Sequence, residues 1–171
     1  MGASSFVEEQ VGLSVEEAFR EAVDQASWEH GHGGYTGTIA EKGSFMLIPR
    51  PPRISARKVV ETIQWADPTG DSVFFRDENE RKEYLRKSKK AYEQMVAWYG
   101  SKTNSILSAY HDKWGSALAI EADPALKKSL LGRYERSRSR SYTSVGGKYV
   151  ETTPPTPRGL KAFIFFGFAS C

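Results

Sequence analysis

The run Leu160-Lys161-Ala162-Phe163-Ile164-Phe165-Phe166-Gly167-Phe168 limits what this chain can fold into more than any other segment. It is almost continuously apolar, yet far shorter than the roughly 20 residues that a membrane-spanning helix needs. A run of this kind is a strand buried among neighbours, and it is assigned to the centre of a sheet. Two other segments can stand beside it. Tyr35 to Ile48 carries strand formers on either side of a turn at Gly43 and predicts an antiparallel hairpin. Ala117-Leu118-Ala119-Ile120 predicts a further short strand, within 117–121.

The remaining periodicity is helical. Ser14 followed by Glu17 forms a capping box, and Val15, Ala18, Phe19, Ala22, Val23 and Ala26 then recur on one helical face. Asp77 with Glu80 opens a longer helix over 78–99, with Tyr84, Leu85, Ser88, Ala91, Tyr92, Met95, Val96 and Tyr99 in its stripe and Gly100 at its end. Its Arg and Lys residues are mixed with Glu, the pattern of a solvated face. Ser55 caps 55–65, where Val59, Val60, Thr62 and Ile63 also suit a strand; helix is preferred. Pro124 suits the first turn of one more short helix. Residues 1–13 read as a lead-in. Pro49-Arg50-Pro51-Pro52-Arg53 forbids regular structure. Asp67-Pro68-Thr69-Gly70-Asp71 is a turn ahead of the apolar Val73-Phe74-Phe75. The elements sum to an α+β fold, with helices packed on one face of a mostly antiparallel sheet. One domain is expected over 1–171, with a basic, Ser/Arg-rich arm or inserted loop near 132–158.

At 171 residues, 39% apolar and 26% charged, the chain has enough material for one core. A formal net charge of +3 argues for no partner by itself, so local clusters decide. Cys171 is the single cysteine, which leaves no internal disulfide and predicts a reducing, cytoplasmic setting in a host cell. Met1 to Gln10 lacks a basic and apolar leader, and no membrane partner is expected.

The functional signal concentrates at Trp28-Glu29-His30-Gly31-His32-Gly33-Gly34-Tyr35-Thr36-Gly37-Thr38-Ile39-Ala40-Glu41-Lys42. Gly31 can close the first helix, because a residue without a Cβ adopts positive φ cheaply. Gly37 within strand formers implies a close approach to the backbone. Free N–H groups in such a turn can cradle phosphate. The order of elements is wrong for a dinucleotide fingerprint, and no Gly-Lys-Ser/Thr marks a P-loop. A plain helix stop with a packed turn is the competing account.

Three blocks carry a resemblance: His30 to Lys42, then Lys113-Trp114-Gly115, then Phe165-Phe166-Gly167-Phe168-Ala169-Ser170. Together they resemble a family of small uncharacterised proteins from bacteriophages and mobile elements. The family pattern has proline after Lys-Trp-Gly and tryptophan before Ala-Ser, where this chain has Ser116 and Phe168. The basic arm between the last two blocks looks like an insertion. The resemblance implies a viral or mobile origin and little chemistry.

Two constellations compete for function. His30, His32 and His111 could hold a divalent metal such as zinc with an open position for water, as in a metal-dependent hydrolase. No catalytic residue and no cofactor are otherwise expected. The second constellation is basic and aromatic: Arg133, Arg136, Arg138 and Arg140 with Tyr134, Tyr142 and Tyr149, joined by Arg50 and Arg53. Arginine interleaved with tyrosine suits phosphate contacts and base stacking, against the alternative of solvated loop charge. The expected function is non-enzymatic binding of a phosphate-bearing partner, nucleic acid or nucleotide, with counter-defence as the matching role. The ligand contacts are expected from His30, His32, Gly33, Gly34, Tyr35, Thr36, Lys42, His111 and Trp114. A third class is a virion or host-protein interaction module that docks through the 132–158 arm.

Overall fold

The computed structural model describes residues 2–31, 34–67, 75–138, 141–145, 148–152 and 156–171, with backbone alone at 138, 141–145 and 148–152. The sheet comprises β1 (Ala3–Gly12), β2 (Phe45–Ile48), β3 (Ala117–Glu121) and β6 (Lys161–Ser170) in the order β1-β6-β3-β2. β6 runs antiparallel to β1 and to β3, and β2 runs parallel to β3. A separate two-stranded ribbon joins β4 (Ser141–Val145) and β5 (Lys148–Thr152). The helices are α1 (Val15–His30), α2 (Ala56–Trp65), α3 (Glu78–Tyr99), α4 (Thr103–His111) and α5 (Pro124–Arg138).

This is an α+β fold with helices packed against the sheet, and the apolar run does occupy the interior strand. β6 alternates between two cores. Ala162, Ile164 and Phe166 face α2, α3, α4 and α5, joined by Leu118, Ile120, Val59, Ile63, Met95, Ile106 and Leu126. Phe163, Phe165 and Ala169 face α1 through Ala18, Ala22, Ala26, Phe19 and Ile39. The larger helical layer thus covers one face, and α1 with the turn at Ile39 covers the other. Burial on both sides is why the run needs no polar alternation.

Several elements form for the expected reasons. Ser14 Oγ accepts from the Glu17 N–H at 3.2 Å, and Glu17 reaches back to the Leu13 N–H at 2.6 Å. Asp77 Oδ1 accepts from Asn79 and Glu80 at 2.8 and 2.9 Å, and Gly100 closes α3 at φ 55°. Ser55 caps α2 through Lys58 N, so the β-branched segment is helical.

Three expectations need correcting. The lead-in is an edge strand, β1, whose ten residues pair with β6 from Ala3↔Ser170 to Gly12↔Lys161. The hairpin at 35–48 is absent: β2 starts only at Phe45, and Ile39–Glu41 form a single 3₁₀ turn capped by Thr38. The basic segment from 132 begins as helix, because α5 runs on to Arg138 before the ribbon. The turn expected at 67–71 and the apolar Val73-Phe74 lie outside the described residues, apart from Asp67. No helix among the described residues is long and apolar enough to cross a membrane.

Candidate functional site

The three sequence blocks meet at one corner of the sheet. Gly37 adopts φ 71° and donates its N–H to Ser170 O at 2.8 Å, while a Cβ there would stand 3.1 Å from Ser4 Cβ and 3.2 Å from Cys171 Cβ. The close approach implied by Gly37 is therefore real, and what approaches is the end of β1 and β6. Thr36 and Thr38 share a hydroxyl bond at 2.8 Å, and Glu41 Oε1 accepts from both the N–H and the Oγ1 of Thr36 at 3.0 Å. Those donors, the Thr36 backbone N–H first, hold the Glu41 carboxyl below its ordinary value. The turn is rigid because its own side chains satisfy its backbone.

Lys42 ties this turn to the second block. It is 3% exposed, and its ammonium donates to Asp112 O at 2.8 Å and Gly115 O at 3.1 Å. Burial pulls its pKa below the ordinary lysine value. Its charge is committed inside the protein and does not face a ligand. Asp112 Oδ1 in turn accepts from Trp114 N at 3.0 Å, and a Cβ at Gly115 would fall 2.5 Å from Asp112 Oδ2. Glycine is required there so that the aspartate can fold over the turn.

These two turns present a pair of aromatic rings to solvent. Tyr35 and Trp114 are 55% and 58% exposed and meet edge to face, ring centroids 6.1 Å apart. The Lys113 ammonium stands 5.5 Å from the Trp114 ring centroid. Tyr35 holds φ 61°, a left-handed conformation that costs a residue with a Cβ roughly 1–2 kcal/mol. Strain of this sort clusters where a side chain must be aimed. Beside the pair, Met46, Asn104, Ser105, Ser108, Asp112 and Ser116 line an open hollow of about 670 Å³.

The histidines are placed differently. His111 stacks on Phe168 at 5.4 Å and 22°, so its ring closes the third block. His30 ends α1 beside Glu8 and Glu29; burial and the Glu29 charge raise the Glu8 carboxyl, and His30 opposes them. His32 and Gly33 lie outside the described residues, and Gly34 is exposed at φ 70°. Among the described residues no three His, Cys, Asp or Glu side chains form a group able to hold a metal.

The basic set is dispersed. Arg133 pairs with Glu9 at 2.6 Å, and Arg50 donates to Ile54 O at 2.8 Å, so both are engaged internally. Arg53 is exposed at φ 63°, and Arg136 is exposed on α5. Arg138 ends α5, and Arg140 lies outside the described residues. Asp112, Glu41 and Lys113 were not among the contacts expected from sequence. The Asp-Lys-Trp-Gly order around the exposed indole was the available sign.

Fold and corner together give an α+β protein with two exposed aromatic rings in contact on adjoining turns. No family model, curated protein or solved structure matches this chain.

Proposed function

We propose that the protein is a non-catalytic binding protein for single-stranded nucleic acid, which it engages at the Tyr35–Trp114 corner. The observation that carries this reading is the exposed edge-to-face pair with a lysine ammonium beside it, fixed on a turn clamped by Lys42. An unpaired base stacks on the indole, and Lys113 meets the adjoining phosphate. The hollow alongside, which also holds the Asp112 carboxylate, offers the hydroxyl groups of Ser105 and Ser108 to the sugar. Two exposed aromatic rings, one of them on the strained backbone of Tyr35, favour recognition over hydrolysis. The stacking of His111 on Phe168 favours a structural histidine over a ligand for zinc. The resemblance of the three blocks to phage and mobile-element proteins implies a viral or mobile origin, with which a counter-defence role in a host cell is consistent by analogy alone.

Titration of dye-labelled single- and double-stranded oligonucleotides, read by fluorescence anisotropy of the label, tests the reading. Single strands should bind with affinity that falls as salt rises, and Trp114→Ala should weaken binding at least about tenfold, the scale of one lost base–aromatic stack. Equal binding by the variant, or none by the native chain, overturns the reading.

A further inference from the structure

α2 and α3 face each other across a groove that the aromatic corner does not use. From α2 come Lys58, Glu61, Thr62 and Trp65, and from α3 come Lys87, Lys90, Ala91 and Gln94, enclosing about 540 Å³. Each set follows the spacing i, i+3, i+4, i+7, so each is one continuous helical face turned toward the other. Thr62 and Ala91 are buried and form the floor. Trp65 is 39% exposed at one end, braced by Tyr84 at 5.7 Å. The lining holds three ammonium groups against one carboxylate, Glu61. Of the three, Lys58 is paired with Glu61 at 2.9 Å and Lys87 with Glu83 at 2.8 Å. Lys90 has no carboxylate partner among the described residues, and Gln94 is exposed with its amide open to a ligand.

We infer that this groove is a binding site for a free nucleoside phosphate, with the base against Trp65 and the phosphates held by Lys90 and Lys87. The groove is open to solvent, and its volume of about 540 Å³ is in the range that small ligands occupy. An indole wall supplies stacking for a base, and excess ammonium supplies the countercharge for phosphate. The Lys87 ammonium lies 5.6 Å from the Trp65 ring centroid. Its side chain is 49% exposed and flexible, so it can leave the ring to the base and swing onto a phosphate. The site is separate from the corner and does not depend on the single-strand reading.

The test is titration of the full chain with ATP, adenosine and tripolyphosphate, by calorimetry and thermal shift. ATP should bind saturably below about 1 mM, and adenosine and tripolyphosphate each at least about tenfold more weakly, because each lacks one half of the recognition. Lys90→Glu should weaken ATP at least about tenfold without lowering the ligand-free melting temperature, since the residue is on the surface. Trp65→Leu keeps an apolar contact to Tyr84 and should abolish the ATP-induced shift. The proposal is overturned if ATP fails to saturate, if tripolyphosphate binds as well as ATP, or if Lys90→Glu leaves the affinity as it was.

Discussion

The guanidinium of Arg133 on α5 reaches the carboxylate of Glu9 on β1, Nη2 to Oε2 at 2.6 Å. Arg57 of α2 grips the other oxygen of the same group, through Nη2 at 2.7 Å and Nε at 2.8 Å. One glutamate, 19% exposed, therefore links the edge strand to two helices. Both arginines are more than half exposed, and water screens what they contribute. Glu9→Ala should lower stability by about 1 kcal/mol, an amount that shrinks in high salt. Urea unfolding at two ionic strengths measures it, and a larger loss at high salt would contradict an ionic link.

Asp123 serves two helix starts at once. Its Oδ1 accepts from Leu126 N of α5 at 3.2 Å, and its Oδ2 accepts from Ala56 N of α2 at 3.0 Å. Burial pushes its carboxyl up, but these backbone N–H groups outweigh it and leave the value below 3.8. A depressed native value means that the stabilisation is complete above the unfolded value and is lost as pH falls through the native one. Asp123→Ala should cost about 2 kcal/mol near neutral pH, as a cap shared by two helices. The difference from the native chain should vanish in acid, which paired denaturation curves across pH will show.

Two glycines of the first block separate strain from space. Gly34 at φ 70° has nothing within 4 Å of where a methyl would stand, whereas Gly37 at φ 71° faces Ser4 and Cys171 at 3.1 and 3.2 Å. Gly34→Ala should cost about 1 kcal/mol, from backbone conformation alone. Gly37→Ala should cost about 1–2 kcal/mol more, because the ends of β1 and β6 must also shift. Melting temperatures of the two variants in parallel decide this; equal losses would mean that the corner is loosely packed.

Replacing Lys42 with methionine removes the donor that holds Asp112 O and Gly115 O. The variant should lose about 2 kcal/mol, the scale of buried acceptors left unpaired. It should also bind oligonucleotides more weakly, although Trp114 itself is intact. Since the native Lys42 value lies below 10.5, its contribution raises stability as pH climbs from the native value to the unfolded one. That rise should be missing from the Lys42→Met profile.

The capped helices were legible because their signals are local. Ser14, Ser55 and Asp77 each bond to N–H groups two or three residues away. β1 was not, since only Phe6 and Val11 among its apolar side chains are buried and its partner strand is far away along the chain. The hairpin was a misreading of chemistry, not of hydrophobicity. Tyr35 to Ile39 are good strand formers, but positive φ at Tyr35 and Gly37 and the Thr36–Thr38–Glu41 hydrogen bonds override that preference. At the site, the exposed Trp114 and Tyr35 were recognisable in the two glycine-containing blocks. The fate of Lys42 was not, because nothing near it in sequence announces that carbonyls of Asp112 and Gly115 will surround it. The α2–α3 groove was passed over because its lysines look like an ordinary solvated helix face until a second helix stands opposite.

The central strand of the sheet is also the last one in chain order. Among the described residues β1 is bonded in the sheet to β6 alone, and β3 has only β2 until β6 arrives. During synthesis the first strand must therefore wait, unpaired, while the helical layer is made. Pairing of β6 with both β1 and β3 is the contact that completes the sheet and joins the two cores. A chain ending before Lys161 would lack the one strand that bonds β1 into the sheet, and with it Phe163, Phe165 and Phe166 from the two cores.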